Sequence, residues 1–266
     1  MTQHPGGHVA RHDDVGPLHV EHEGAGRAVV LIHAGVADSR MWDPQWAAWQ
    51  TRFALTRLDL RGFGRSGRQT GSFSHAADVL AVLDAVGIHR AALVGASFGG
   101  RVALDLAAAH PERVSGLVLA DPPLPGHAWS DEVRAFSDAE DEALEAGDLD
   151  AATDVNVEFW LAPASEAVRA AIREQQLNAF ELQFGDEPDE SLLTPDLRSA
   201  LPALDIPALV ITGEHDKADF LVIADELAAT LPNARRETIP RAGHLPSVEQ
   251  PGTFDAVVLP FLAEIA

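Results

Sequence analysis

Short apolar runs alternate with helical segments along most of the sequence, and this alternation constrains the fold more than any other feature. Runs such as 28–32, 91–94 and 208–211 are typical of buried strands, because aliphatic residues follow one another without a polar break, whereas 54–58 is a weaker strand. Repeated strand–helix–strand units predict an α/β class with a mostly parallel sheet flanked by helices. The predicted strands are 28–32, 54–58, 91–94, 114–120, 208–212 and 234–239, and the predicted helices are 74–86, 102–110, 218–231 and 250–264.

One long segment breaks the alternation. Residues 122–206 contain no convincing strand. Three parts of the segment are predicted to be helical, namely 131–146, 149–161 and 164–182. The segment carries 20 acidic and four basic residues, so most of the chain's negative charge lies in it. We therefore expect a core domain of residues 1–121 and 207–266, with a helical insertion at 122–206.

The composition limits both fold and function. With 266 residues, 46% of them hydrophobic, the chain is long enough to bury an ordinary core. Acidic residues number 41 against 19 Lys and Arg, which gives a formal net charge of −22. Such a surface repels phosphate backbones and anionic lipid, so we predict no nucleic-acid and no membrane partner. The sequence has no cysteine, which excludes disulfides, thiolate metal sites and a cysteine nucleophile.

The start of the chain is rich in histidine. The histidines of this region are His4, His8, His12, His19 and His22. Their spacing matches no zinc pattern, so we predict a loose tail over residues 1–16 and no metal site. The N-terminus lacks the apolar run of a signal peptide, and no stretch reaches the ~18 apolar residues of a membrane-spanning helix. A cytoplasmic protein is therefore expected.

The segment Gly95-Ala-Ser97-Phe-Gly99 carries the strongest chemical signal. It follows a predicted strand and leads into a helix, the context in which G-x-S-x-G forms a nucleophile elbow. The chain must turn sharply there, and side chains at positions 95 and 99 would collide, so both must be glycine. The serine then projects from the strand end, where the helix N-terminus favours developing negative charge. Ser97 is the predicted nucleophile.

A serine hydroxyl is a weak nucleophile unless a base removes its proton. His244 follows the last predicted strand and precedes the last helix, in the segment Arg241-Ala-Gly-His-Leu-Pro246. That loop lies at the carboxyl edge of a parallel sheet, as does Ser97. Histidine is suited to proton transfer near neutral pH, so His244 is the predicted base.

The base in turn needs a carboxylate that fixes its tautomer and stabilises its cation. Asp216 follows the predicted strand 208–212 and is the favoured candidate. Asp121 also follows a strand and remains an alternative at this point. Glu214 and Asp219 are lesser candidates.

Attack on a carbonyl produces an oxyanion, which must be met by N–H donors already in place. The residue after the nucleophile supplies one donor, which is Phe98 here. The second donor is expected in a loop after an early strand, and the loop Ile32-His-Ala-Gly-Val36 has that position.

Taken together, these segments resemble the α/β-hydrolase superfamily from about residue 17 onward. The matching pieces are the His33-Ala-Gly35 loop, Asp59-x-Arg-Gly-x-Gly-x-Ser66, the elbow at 95–99, Gly213-Glu-His-Asp216 and Gly243-His244. The chain order of nucleophile, acid and base is also that of this superfamily. The chain resembles small bacterial carboxylesterases and enol-lactone hydrolases, which carry a helical cap where this sequence has its insertion.

The resemblance implies an α/β-hydrolase fold and a serine hydrolase that cleaves a carboxylic ester or lactone through an acyl-enzyme, with no cofactor and no metal. It maps the second oxyanion donor onto Gly35, and Val36 stays open because the family has His-Gly where this chain has His33-Ala34. It implies a structural role for His33 and no catalytic step for the stretch 59–66.

We expect the cap to close a pocket for an apolar or aromatic group of a small-molecule ester or lactone. The candidate lining residues are Trp42, Trp129, Phe136, Phe159, Trp160, Leu161 and Phe180. The protein is expected to be a monomer or a homodimer.

Other functions share the same three residues. Cofactor-free perhydrolases, also called non-haem haloperoxidases, and C–C bond hydrolases acting on β-diketones are alternatives within the fold. A non-catalytic ligand-binding receptor is an alternative of another class. Haloalkane dehalogenases and epoxide hydrolases are disfavoured because residue 97 is serine, not aspartate. Hydroxynitrile lyases are disfavoured because Leu245, not lysine, follows His244.

Overall fold

The structure is a computed structural model that describes residues 16, 18–68, 70–185 and 189–265. The predicted N-terminal tail, with His4, His8 and His12, lies outside these residues except for Gly16. Across the described ranges, no helix combines the length and the apolar character needed to span a membrane.

The strands form one large sheet and one two-stranded pair. The strands of the described chain are β1 (His19–Gly24), β2 (Ala28–Ile32), β3 (Ala54–Asp59), β4 (Ser72–Phe73), β5 (Ala91–Ala96), β6 (Val114–Ala120), β7 (Asp189–Glu190), β8 (Ala208–Gly213) and β9 (Ala234–Ile239). The large sheet has the order β1-β3-β2-β5-β6-β8-β9. Only β1 runs antiparallel to its neighbour, and the other pairs are parallel. The predicted α/β class with a mostly parallel sheet is confirmed.

Helices connect the strands. They are α1 (Asp43–Trp49), α2 (His75–Ala85), α3 (Phe98–Ala109), α4 (Asp131–Glu145), α5 (Leu149–Trp160), α6 (Glu166–Gln183), α7 (Leu197–Ala200), α8 (Ala218–Thr230), α9 (Pro246–Glu249) and α10 (Pro251–Glu264). Short 3-10 turns occupy Ser39–Trp42, Pro111–Arg113 and Leu201–Ala203. Helix α3 begins four residues before its predicted start, because the strand–helix turn leads straight into it.

The core lies in two layers, one on each face of the sheet. Neighbouring residues of β5 point to opposite faces, so Leu93 belongs to one apolar cluster and Val94 to the other, and neither is exposed to solvent. Because both faces are covered, the central strands are continuous apolar runs, which explains why they could be predicted.

The segment between β6 and β8 contains α4, α5 and α6. Each helix begins at a residue whose side chain accepts a hydrogen bond from an N–H of the first turn: Ser130, Asp148 and Ser165. After α6 the chain forms β7, which pairs with β4 in the separate two-stranded pair. The buried Asp105 of α3 accepts hydrogen bonds from the N–H groups of Leu193 and Thr194, at 2.9 and 2.7 Å. The short strand β7 was not predicted.

The strand order creates a crevice at the carboxyl ends of β2 and β5. The chain leaves β2 toward β3 on one side and later enters β5 on the other side. Helices after these two strands therefore diverge, which leaves open space at the point where the order reverses. The loops after β2 and β5 border this crevice.

Candidate active site

The turn between β5 and α3 holds Ser97 in a strained conformation. Its φ of 47° and ψ of −118° are rare for a residue other than glycine. A Cβ on Gly95 would lie 2.4 Å from the carbonyl oxygen of Gly99, and a Cβ on Gly99 would lie 2.3 Å from that of Ile32. Both positions must therefore be glycine, for the steric reason that the sequence indicated.

Three predicted residues come together at the carboxyl edge of the sheet. The Ser97 Oγ lies 2.9 Å from the Nε2 of His244, and the His244 Nδ1 lies 3.0 Å from each carboxylate oxygen of Asp216. His244 is 3% exposed, so water has little access to this chain of contacts. When Nδ1–H donates to the carboxylate, Nε2 is free to accept the hydroxyl proton of Ser97.

The other carboxylates considered for this role lie elsewhere. Asp219 accepts hydrogen bonds at 2.9 Å from His127 and from the N–H of Ser130. Glu214 is half exposed and accepts a hydrogen bond from the N–H of Arg241. The structure therefore brings neither of them to His244.

Asp121 is a different case, because it lies beside Asp216. Its φ is 49°, and its Oδ1 accepts a hydrogen bond from the N–H of Gly213 at 3.2 Å. Burial and the negative charge of Asp216 raise the pKa of Asp121 well above its usual value. Burial also acts to raise the pKa of Asp216, but the charge and the hydrogen bond of His244 outweigh it and lower that pKa. The geometry thus favours an ionised Asp216 beside a protonated Asp121.

Asp121, Asp216 and His244 could together offer three ligand atoms to a metal ion, since these atoms lie within 4.8 Å of one another. In the arrangement observed, however, the two ring nitrogens of His244 face Asp216 and Ser97. A metal ion there would have to displace one of these hydrogen bonds. The donor set therefore suits proton transfer better than metal binding.

Two features that were not predicted from the sequence hold His244 in place. The carboxylate of Glu249 accepts hydrogen bonds from the N–H groups of Gly243 and Leu245, both at 2.8 Å, and so braces the loop on each side of the histidine. The rings of Trp160 and Phe220 pack against the imidazole, each with its centroid 4.4 Å away. The sequence marks these residues only by their closeness to the predicted site residues. Glu249 lies five residues after His244, and Phe220 lies four residues after Asp216.

The loop after β2 lies opposite the elbow. Gly35 and Val36 border the same cavity as Ser97 and Phe98. The buried His33 fixes this loop: its Nε2 accepts the N–H of Leu60 at 2.9 Å, so its Nδ1–H donates to the carbonyl oxygen of Ala34 at 2.8 Å. Burial lowers the pKa of His33, in keeping with a neutral ring.

A cavity of about 470 Å³ opens at Ser97. Of the aromatic residues predicted to line it, those that do so are Trp129, Phe136, Trp160 and Phe180. It is also lined by the apolar side chains of Pro123, Val133, Leu144 and Phe220, and by the polar side chains of Glu140, Asn156, Gln176 and Gln183. Apolar walls with a few polar groups are usual for a small-molecule site.

Three predicted lining residues need correction, because they do not border this cavity. Trp42 is fully buried and packs against Phe254 in the core, with ring centroids 6.2 Å apart. Leu161 is 1% exposed and belongs to the same apolar cluster. Phe159 stacks on Phe136, and the ammonium group of Lys217 lies over its ring, 4.0 Å from the centroid. An aromatic or apolar residue in a helix can face either the core or a cavity, and the sequence alone did not separate the two.

A larger cavity of about 650 Å³ lies away from Ser97 and is lined mainly by charged residues. Its three guanidinium groups are already paired: Arg57 with Glu21 and Asp43, Arg40 with Asp38 and Glu174, and Arg65 with Glu21. These ion pairs leave the cavity at Ser97 as the better candidate for a substrate site.

Comparison with known proteins gives one consistent result. A sequence model of the alpha/beta hydrolase fold family matches residues 27–251. A protein of Caulobacter sp. (strain K31) named as a carbamate hydrolase, RutD, is 31% identical over 93% of this chain and 96% of its own length.

Two solved structures are similar over most of their length. The enol-lactonase from Burkholderia xenovorans LB400 has a TM-score of 0.76 and 28% identity, over 93% of this chain and 96% of its own. A thermophilic esterase from Thermogutta terrifontis has a TM-score of 0.75 and 26% identity, over 93% of both chains. The chain therefore belongs to the alpha/beta hydrolase fold family, as its motifs predicted, and is a hydrolase of that family.

Proposed function

We propose that the chain is a serine hydrolase that cleaves a small-molecule carboxylic ester or lactone through an acyl-enzyme. The observation that carries the proposal is the hydrogen-bonded series Ser97–His244–Asp216 beside a largely apolar cavity. The enol-lactonase and esterase structures described above support the same substrate classes.

The reaction begins with attack by Ser97 on the substrate carbonyl. His244 takes the hydroxyl proton at Nε2, and Asp216 stabilises the imidazolium cation that forms. The tetrahedral oxyanion is held by the N–H groups of Phe98 and Gly35, each of which typically contributes about 3 kcal/mol. His244 then donates its proton to the leaving alcohol oxygen, which breaks the ester bond.

Deacylation repeats these steps with water. His244 removes a proton from water, the resulting hydroxide attacks the acyl carbonyl, and the proton returns to the Oγ of Ser97 as the acid leaves. Trp160 and Phe220 cover the imidazole during both steps, which keeps bulk water from screening its charge. None of these steps needs a metal or an organic cofactor.

We further propose that residues 122–206 act as a cap over the core domain formed by residues 1–121 and 207–266. Helices α4, α5 and α6 supply Phe136, Trp160 and Phe180 to the cavity wall, while the core supplies the three reacting residues. The cap would then select the substrate, and the core would supply the residues that react with it.

The test is hydrolysis of p-nitrophenyl hexanoate and of an uncharged lactone by matched serine variants. Ser97→Ala should lower kcat by about 10⁴-fold or more, because the nucleophile of a triad is lost. Ser137→Ala, at an exposed position of α4, is the control and should retain full turnover. A fluorophosphonate probe should label the wild type and the control but not Ser97→Ala. Full turnover by Ser97→Ala would refute the proposal.

The same protein samples separate the alternative reactions. Peracid formation from acetate and hydrogen peroxide, or cleavage of a β-diketone, at a higher kcat/KM than any ester or lactone would assign the chain to those classes. A wild type that neither turns over any of these substrates nor reacts with the fluorophosphonate probe would favour the receptor.

A further inference from the structure

The wall of the cavity at Ser97 is apolar in one part and polar in another. Phe136 of α4 and Trp160 of α5 pack together, with ring centroids 5.0 Å apart, and Trp160 contacts the imidazole of His244. Glu140 lies one helical turn from Phe136 along α4, and Asn156 one turn from Trp160 along α5, which is about 6 Å along each helix axis. There the amide of Asn156 donates to the Glu140 carboxylate at 2.6 Å. The cavity wall therefore has a polar zone, formed by Glu140 and Asn156, next to the apolar rings.

The polar zone accepts hydrogen bonds and carries no positive charge. Among the described residues that border the cavity, none is lysine or arginine, and Glu140 is the one carboxylate. A carboxylate on the substrate would lose its water there, find no cation to pair with, and meet the negative charge of Glu140.

Gln176 of α6 also borders this cavity. It is 4% exposed, and its Oε1 has no hydrogen-bond partner within the described chain. A buried acceptor without a donor is costly, so a ligand that brings an N–H or O–H group gains if the amide turns this oxygen toward it. Asn156, by contrast, already uses its amide on Glu140 and on the carbonyl oxygen of Ala152.

We propose that the cavity selects uncharged acyl groups with an apolar stem and a terminal hydrogen-bond donor, such as an amide or a hydroxyl, and rejects acyl groups that end in a carboxylate. This inference rests on the proposed function, because it names the substrate class of that same site. It concerns the acyl group, since that part of the substrate stays attached to Ser97 through both steps.

The test compares two p-nitrophenyl esters of the same shape at about pH 8. One has a six-carbon acyl chain ending in a primary amide, and the other has the same chain ending in a carboxylate. Burial raises the pKa of Glu140, and the hydrogen bond from Asn156, which acts to lower that pKa, only partly offsets the effect. The assay pH is chosen to keep this carboxyl ionised. For the wild type we expect kcat/KM to be about 100-fold higher for the amide than for the carboxylate.

Variants then assign this selectivity to the polar zone. Glu140→Gln should lower the amide-to-carboxylate ratio at least tenfold, because it removes the repelling charge and keeps the shape. Glu142→Gln is the matched control, since it removes the same charge from an exposed position of α4 and should leave the ratio unchanged. Gln176→Leu should lower the advantage of the amide over plain hexanoate about fivefold.

The outcomes for this inference and for the proposed function can be told apart. If plain hexanoate is hydrolysed but the wild type treats amide and carboxylate alike, or prefers the carboxylate, the inference is overturned and the proposed function stands. A ratio that falls equally in Glu140→Gln and Glu142→Gln also overturns it. If no ester is hydrolysed faster by the wild type than by Ser97→Ala, the proposed function fails.

Discussion

Replacement of Asp216 by asparagine tests how the charge of the acid supports the base. The His244 Nδ1 lies 3.0 Å from both oxygens of Asp216, and an asparagine can keep one acceptor there but loses the negative charge. At an effective dielectric constant of about 20, a unit charge pair at this distance is worth about 5.5 kcal/mol. Such an energy corresponds to about 10⁴-fold in rate.

Asp121 will offset part of this loss. Its pKa is raised by burial and by the charge of Asp216, so the removal of that charge makes it easier to ionise Asp121 beside His244. We therefore expect Asp216→Asn to lower kcat/KM by about 10³- to 10⁴-fold, Asp121→Asn to lower it less than about tenfold, and the double variant to be the least active.

The assay is hydrolysis of p-nitrophenyl hexanoate at about pH 8, with circular dichroism to verify folding. The opposite pattern would refute the reasoning: Asp216→Asn within tenfold of the wild type and Asp121→Asn reduced a thousandfold would make Asp121 the orienting acid.

Three further predictions concern the scaffold. Gly99→Ala should lower the free energy of unfolding by about 2–4 kcal/mol in a urea titration, because its Cβ would lie 2.3 Å from a carbonyl oxygen of β2. Glu249→Gln should lower kcat about tenfold with little change in KM, because only one of the two N–H groups beside His244 keeps its acceptor, whereas Glu237→Gln at an exposed position should have no effect. Burial raises the pKa of Glu21, but hydrogen bonds from two arginines and a histidine outweigh it and lower the pKa to about 2. Its contribution to stability is present above about pH 4.5 and is lost as the pH falls toward 2, so Glu21→Gln should be less stable than the wild type by about 1–2 kcal/mol at neutral pH and equally stable near pH 2.

The sheet and the reacting residues could be predicted because local sequence determines them. Central strands such as β2 and β5 are covered on both faces and therefore appear as apolar runs without a polar side chain. The elbow depends on glycines at fixed spacing around Ser97, and that spacing is visible in the sequence. In a parallel sheet, residues that directly follow strands meet at one edge, so their positions along the chain already indicated that Asp216 and His244 would approach Ser97.

The cavity wall could be predicted only in part, because it depends on how helices pack. Phe136 and Phe159 are both aromatic and lie on neighbouring helices, yet only Phe136 faces the cavity. Trp42 follows the predicted oxyanion loop, but its ring turns into the core against Phe254. The polar residues Glu140 and Gln176 had no motif to mark them, and their importance arises from burial beside a cavity that only the folded chain creates.

The most direct measurement of the central claim is the position of the acyl group during turnover. Trypsin cleaves after Arg90 and Arg101, and in the resulting peptide Ser97 is the one residue with a nucleophilic side chain. Acid quenching of the wild type during hydrolysis of p-nitrophenyl hexanoate, followed by mass spectrometry, should find one hexanoyl group on this peptide and none in Ser97→Ala. A hexanoyl group on another peptide, with turnover undiminished in Ser97→Ala, would contradict the account.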